Sequence, residues 1–528
     1  MLGAIIDKAF SGCSFRRVDT GPLRPQFRET RLFVPPELLE RAALEGFSDL
    51  GFYFRESHLK LLAARLDDPT SSANDKFVIG ALLKNAAIAA RGELALCQDT
   101  GTAIVYGWKD ESVYTGIDDR SVLEKGIARA YKENYFRSSQ TGASSFFDEY
   151  DTGTNLPAQV EIKSTRDGDP AGPRYRFLFV AKGGGSSNKT ALFPMTKSLL
   201  EEKNFAAFLE EKINALGTAA CPPYRLAVVV GGSSPEFNLE VLKLATTEIL
   251  DGAPFFGDAL GDEHSGANRI FRDRYWEERA MEMGRRSGLG AQFGGNALLL
   301  DVRVLRLPRH AASCPVSIGV SCAAHRNMLA CIDREGLHLE SLVRSPEAVS
   351  QTVSGTFSRR IDLDRPMDDI RRDLATLPIG AAVLLSGKLL VARDAAHLKW
   401  HERLAAGEKL PEYLYHHPVY YAGPAATPPG KTIGSLGPTT AQRMDPYADE
   451  LMSRGASLVT LAKGPRSAVW KEACAKYGGC YLGTIGGAAA LLAEEHVTSS
   501  ELIDYPELGM EAVRLITVRD LPAFIVIG

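Results

Sequence analysis

Three loop-edge cysteines, a run of glycines and a threonine four residues from an arginine are the places where this sequence could do chemistry. Cys97 stands in the polar turn Cys97-Gln98-Asp99-Thr100-Gly101, Cys221-Pro222-Pro223 leads into a strand, and Cys322 ends one. Thiolates so placed suit soft transition metals and iron-sulfur clusters. Spacing alone does not select this triple from the eight cysteines at 13, 97, 221, 314, 322, 331, 474 and 480, because a buried cysteine is usually a small apolar side chain. Gly183-Gly184-Gly185-Ser186-Ser187-Asn188-Lys189 follows an apolar run, so its N–H groups either converge on an anion or simply turn the chain. Gly437-Pro438-Thr439-Thr440 opens a helical pattern with Arg443 on the face of Thr439. Hydroxyl and guanidinium near a positive helix start suit a carboxylate or phosphate; a capping Thr beside a solvated Arg is the plainer reading. His310, after a strand in Leu307-Pro308-Arg309-His310, is a candidate acid, base or ligand, against the commoner structural role of a histidine.

Other motifs fail on spacing. Gly423 and Gly430-Lys431-Thr432 are separated by six residues where a phosphate-binding P-loop has four. Gly483-x-x-Gly486-Gly487 reads as close packing rather than a dinucleotide loop, and Gly319-x-Ser321 lacks the glycine of a nucleophile elbow. No H-E-x-x-H and no C-x-x-C occurs, which removes the close-spaced zinc signatures.

These residues must be carried by a chain of 528 residues with net charge −4, 45% apolar content and mean hydropathy −0.11. Such a composition predicts a soluble globular protein of two to four domains and argues against a polyanion binder. No uncharged apolar run approaches the roughly 18 residues of a membrane span. Eight cysteines are too sparse for a disulfide scaffold, so a reducing compartment is expected. Asp7, Asp19 and Glu29 interrupt the basic lead, which weakens a transit-peptide reading. Helical spacing is expected over 35–65 and 75–91, and Ser121 is expected to cap the helix that delivers Arg137. Leu226 to Val230 reads as a buried strand breaking at Gly231-Gly232 before a Ser-Pro helix start, with further strands at 297–307 and 315–321. The polar stretch 345–373 reads as a boundary, and 381–392 as a hairpin turning at Ser386-Gly387.

Taken together, the ordered strings from Cys97 to Ala103, Thr152 to Ala158, Lys182 to Thr190, Gly217 to Tyr224, Gly288 to Gly295, Leu307 to His310, Gly434 to Thr440 and Tyr505 to Ala512 resemble the class I, iron-sulfur-dependent fumarate hydratases. The resemblance implies an α/β fold of two domains: an N-terminal extension 1–39, a mixed α/β cluster-binding domain 40–345, a linker region 346–373 and a C-terminal α/β swivelling-type domain 374–528. It implies that Cys97, Cys221 and Cys322 each ligate one iron of a [4Fe-4S] cluster, leaving the fourth iron open for a substrate hydroxyl. Thr439 is then the expected base with Asp99 as its partner, His310 stands close by, and Gln98, Arg137, Gly185, Arg393, Arg443 and Lys463 are expected to bind a dicarboxylate in the interdomain cleft. The implied reaction is the reversible dehydration of (S)-malate to fumarate. Tartrate or mesaconate dehydration is the nearest alternative, and a cluster-based iron or redox sensor a more distant one. A homodimer is expected, without nucleic acid or membrane partners, in the cytoplasm or the mitochondrial matrix. The sequence departs from the family pattern at His325, where Asp is common, and lacks the cysteine-bearing tail of some relatives. Cys314, Cys331, Cys474 and Cys480 are expected to be structural, with Cys13 outside the match.

Overall fold

Apolar positions three and four apart shape the first third of the chain into the helices Pro36–Phe52, Glu56–Asp67 and Ala73–Ala89. The computed structural model describes residues 2–166, 172–257, 270–349, 355 and 357–527. A capping box starts the third helix: Ser72 Oγ accepts from the Asp75 N–H at 3.0 Å, and the Asp75 carboxylate accepts from the Ser72 N–H. Asp75 also accepts from the N–H groups of Ala291 (2.6 Å) and Asn296 (2.9 Å), so one carboxylate orders both a helix start and a distant glycine-rich loop.

Two sheets build the N-terminal domain. In the six-stranded sheet, Tyr175–Lys182 lies between Thr102–Asp110 and Arg326–Asp333, antiparallel to both. In the five-stranded sheet, Tyr224–Gly232 is flanked by Cys314–Ser321 and Leu299–Arg309. Both Tyr175–Lys182 and Tyr224–Gly232 are buried at every position, as unbroken apolar runs with neighbours on both faces must be. The expected strand-loop-helix unit is present: Gly231 and Gly232 take φ of +97° and +125°, and Ser234 caps the helix Pro235–Ala245. The lead segment is integrated rather than appended. Ile5, Ile6 and Phe10 are buried in the core, and Phe15–Arg17 pairs with Gly336–Glu340.

The C-terminal sheet has seven strands, five of which close into a ring because Val513–Ile527 pairs with both Ala382–Val391 and Cys480–Gly483. The expected hairpin at 381–392 is instead this single strand Ala382–Val391. Gly387, at φ +117°, marks a bulge in the ladder to Val513–Ile527, not a reversal of the chain. Part of the expected linker also belongs to this sheet: Arg359–Asp362 pairs with Ala382–Val391, with Ile361 and Leu363 buried among the charges that disguised them. Residues 350–354 and 356 of that stretch lie outside the described residues. The helix before Arg137 runs Asp119–Glu133 and is capped by Asp118, which accepts from the Arg120 N–H, while Ser121 donates to Asp118. The two domains share one apolar core in which Phe293 stacks on Phe524 at 4.0 Å and 13°.

Candidate active site

A cleft of about 660 Å³ opens between the domains, lined from the first by Gln98, Asp99, Arg137 and Gly185 and from the second by Arg393, Thr439, Arg443 and Lys463. Sequence reasoning placed all eight together, and the fold brings all eight to one wall-to-wall space. Arg137, only 8% exposed, follows the helix Asp119–Glu133 and is held by Thr100, whose Oγ1 accepts the Arg137 N–H and donates to its carbonyl. Lys463 follows the strand Val459–Ala462, and its N–H and carbonyl bond the backbone of Thr439 and Ala441.

At the floor, Lys463 Nζ lies 2.9 Å from Cys221 Sγ, and the charges of Cys97 and Cys322 also act on that ammonium. Burial opposes the charge on Lys463, but the three surrounding sulfurs outweigh it and hold the pKa above its ordinary value. Burial pushes the Cys221 thiol up to about 11 and raises that of Cys97. Burial thus works against the thiolate form of both sulfurs, and an adjacent positive charge such as Lys463 works for it. Cys221 itself adopts φ +60°, a left-handed conformation that a non-glycine residue takes only under constraint. Opposite it, a Cβ on Gly486 would overlap Cys221 Sγ, and one on Gly487 would stand 3.7 Å from Ala323 Cβ. Glycine there leaves the sulfur room.

Among the described residues no three His, Cys, Asp or Glu side chains converge as they would on a single metal ion.

Asp99 is partnered differently from expectation. It accepts the Gly184 N–H at 2.8 Å and pairs with Arg137 at 3.5 Å, while the Thr439 hydroxyl accepts from Arg443. The glycine run therefore uses one N–H on an internal anion. Burial alone would raise the Asp99 pKa, but Arg137, Arg326, the Gly184 N–H and Lys463 hold it below the usual carboxylate range. Gln98 Nε2 donates to the Pro438 carbonyl at 3.2 Å, joining the Cys97 turn to the segment that bears Thr439.

His310 is not brought to the cleft. It is exposed in the turn between Leu299–Arg309 and Cys314–Ser321, where its Nδ1 accepts the Ala312 N–H at 3.1 Å. His325 is buried in a network with Ser321, Asn327 and Glu248. Two carboxylates escaped sequence reasoning. Glu511 pairs with Arg393 and accepts the Ala395 N–H at 2.9 Å; Asp394 lies 3.2 Å from Arg443. Burial would raise the Glu511 pKa, but Arg393, the Ala395 N–H and Arg443 keep it ionised. The adjacency of Arg393 and Asp394, and the position of Glu511 inside the matched string from Tyr505 to Ala512, were the available signals.

Residues 40–330 match the family model described as fumarate hydratase (fumerase), and residues 334–528 match that of the fumarase C-terminus. The chain is 48% identical over 505 residues to fumarate hydratase 2 of Leishmania major, covering 95% of this chain and 87% of that one. It is 48% identical over 504 residues to the anaerobic class I fumarate hydratase of Escherichia coli strain K12, covering 94% and 90%. Fumarate hydratase 1, mitochondrial, of Leishmania major is 44% identical over 501 residues, covering 94% and 89%.

Proposed function

The chain belongs to the class I fumarate hydratase family, and from that premise we propose that its cleft interconverts (S)-malate with fumarate and water. The observation that carries this reading is the cleft itself, with four cationic side chains from two domains around one space and one of them, Lys463, in contact with the Cys221 thiol. Two carboxylates need that many cations, and guanidinium forks bind carboxylate bidentately. Arg137, Arg393 and Arg443 each already hold a protein carboxylate, so substrate binding is an exchange of partners rather than a capture by bare charge.

In this reading Thr439 Oγ1 takes the proton from the carbon beside one substrate carboxylate, while the hydroxyl leaves from the neighbouring carbon. A neutral threonine hydroxyl is too weak a base, so Thr439 acts as the alkoxide: its own proton is first lost to solvent in the cleft, the Arg443 guanidinium that donates to Oγ1 stabilises the resulting negative oxygen, and the proton taken from carbon restores the hydroxyl. Asp99, ionised, holds Arg137 and the Gly184 turn in place. Cys97, Cys221 and Cys322 would hold a [4Fe-4S] cluster, which when bound supplies an electrophilic iron for a leaving hydroxyl. Lys463, beside Cys221, offsets the negative charge that such thiolates bring.

The reading extends to a homodimer, supported by the family resemblance and by Phe146 and Phe147, 93% and 88% exposed at the tip of the hairpin Thr141–Asp151; sedimentation of the purified protein tests it. Among the described residues no helix is long and apolar enough to cross a membrane. A mitochondrial or cytoplasmic site of action is part of the reading, the mitochondrial one supported by the name of one Leishmania major relative, and is tested by localising the native protein. The reaction is tested by anaerobic purification, iron and sulfide analysis, and ultraviolet assay with malate, fumarate, tartrate and mesaconate. Iron-loaded protein inactive on malate and fumarate would overturn the assignment.

A further inference from the structure

Two buried amides stand where the domains meet, and neither belongs to the substrate-binding set. Gln292, 8% exposed, donates through Nε2 to the carbonyls of Pro222 (3.1 Å) and Gly486 (2.9 Å), and its Oε1 accepts the Gly486 N–H at 2.7 Å. Asn85, 1% exposed, donates through Nδ2 to the carbonyls of Leu96 (2.9 Å) and Gly487 (3.3 Å), and its Oδ1 accepts the Leu491 N–H at 2.9 Å. Pro222 follows Cys221 and Leu96 precedes Cys97. Gly486 and Gly487 form the turn of the C-terminal domain that faces the Cys221 sulfur. Each amide thus clamps the backbone beside one thiol to the same glycine turn. Gln292 holds a φ of +107°, a conformation that a non-glycine side chain adopts only when its surroundings insist. The Asp75 carboxylate, which fixes the Ala291 N–H, supplies part of that insistence.

We propose that Gln292 and Asn85 are positioning residues for the thiol cradle, each fixing one cysteine of the first domain against the Gly486-Gly487 turn of the second. The inference rests on the reading that these thiols hold the cluster, but it makes a claim about individual sulfurs that can be tested separately. Neither amide touches substrate. Their effect is carried by backbone groups, so the two act on different cysteines: Gln292 on Cys221, Asn85 on Cys97.

Site-resolved labelling tests this. Full-length protein, kept anaerobic and stripped of metal by a chelator, is treated with N-ethylmaleimide, and Cys97, Cys221 and Cys474 are followed by mass spectrometry. Cys474 lies in the C-terminal core away from the cradle and reports general loosening. Losing a buried hydrogen-bonded clamp shifts local opening by about tenfold or more. Gln292→Met is expected to raise labelling of Cys221 by about that factor, with Cys97 and Cys474 nearly unchanged; Asn85→Leu is expected to raise Cys97 instead. Gln292→Glu and Asn85→Asp, which keep the side-chain shape but turn a carboxyl oxygen toward the carbonyls the amide nitrogen bonded, carry the same expectation should the apolar variants fail to fold. Parallel rises at all three cysteines, or no selective rise in either variant, overturn the proposal. The same preparations are then reconstituted with iron and sulfide. A wild-type chain that takes up none would sink the cluster reading, whereas the labelling pattern would still decide the role of the amides.

Discussion

The floor and the wall of the cleft are held in opposite ways. The sulfurs of the floor are fixed by backbone: a left-handed Cys221, tight glycines and buried amides that bond only peptide groups. The cations of the wall are fixed by other side chains, Arg137 by Asp99, Arg393 by Glu511 and Arg443 by Asp394 and Thr439. A floor of this kind keeps one geometry, as a resident inorganic group requires. In a wall of ion pairs a substrate carboxylate competes with an internal one for each guanidinium, and a displaced Asp99 or Glu511 keeps only its backbone donor, the N–H of Gly184 or Ala395.

The largest effect should come from the floor. Cys221→Ser should abolish retention of iron and sulfide and all activity, and so should Cys97→Ser and Cys322→Ser; Cys474→Ser should leave both intact, as iron and acid-labile sulfide assays will show. A floor that survived the loss of Cys221 would break the comparison outright. Next comes the reacting hydroxyl. Thr439→Ala should lower kcat by about a hundredfold to ten-thousandfold while the cluster spectrum persists, since a positioned base contributes on that scale. Normal kcat in both directions would move the base elsewhere.

The wall should respond in grades. Arg137→Ala, Arg393→Ala and Arg443→Ala each remove a charged partner worth roughly 1.5 to 3 kcal/mol, so kcat/KM should fall about ten- to over a hundredfold with iron content unchanged. Removing a resident carboxylate should act the other way. Glu511→Gln frees Arg393 from a pair worth about 1 kcal/mol or less, so KM should fall by up to about fivefold; a rise would mean that Glu511 aims the guanidinium rather than competing for it.

The smallest effect concerns stability against pH. His397 is fully buried, its Nδ1 against the Arg393 carbonyl, and burial first, then Arg466, lowers its pKa to about 4 from an ordinary 6.5. Between those values the unfolded chain binds a proton that the folded chain refuses, so stability is lost as pH falls through that window, by about 1.4 kcal/mol per pH unit. Urea unfolding from pH 7 to 5 should show the slope, and His397→Gln should reduce it by that contribution, leaving the part due to His58 and His325, whose pKa values burial also lowers.

How much of this was legible depends on how local the cause is. Thr439 and Arg443 were paired from sequence on a four-residue helical spacing, and the pair is present, but Thr439 precedes a 3-10 helix that starts only at Ala441, so Arg443 reaches back to it across the helix start rather than along a shared α-helical face. The strand ending at Gly231-Gly232 was legible because an unbroken apolar run before two glycines has few other meanings. Asp99 was assigned the wrong partner because its neighbours come from a loop 85 residues away, and no spacing reports that Gly184 claims its oxygen. Gly387 was misread as a turn because a glycine between two apolar runs marks a bulge as readily as a reversal, and only the partner strand decides. His310 was carried by its motif alone, and its position in an exposed turn shows that a matched string can sit far from the chemistry within one chain.

The strand Val513–Ile527 closes the C-terminal ring and carries Phe524, which stacks on Phe293 beside the glycine turn. On a ribosome, the N-terminal domain emerges and can collapse long before that strand is made. Until it is, the ring stays open, the shared core lacks its aromatic plug, and the Gly486-Gly487 turn is held against the first domain by the hydrogen bonds of Gln292 and Asn85. The seat of a turn beside one thiol of the first domain is therefore completed by a strand that the chain makes much later, so the cleft's floor matures only once the C-terminal ring has closed.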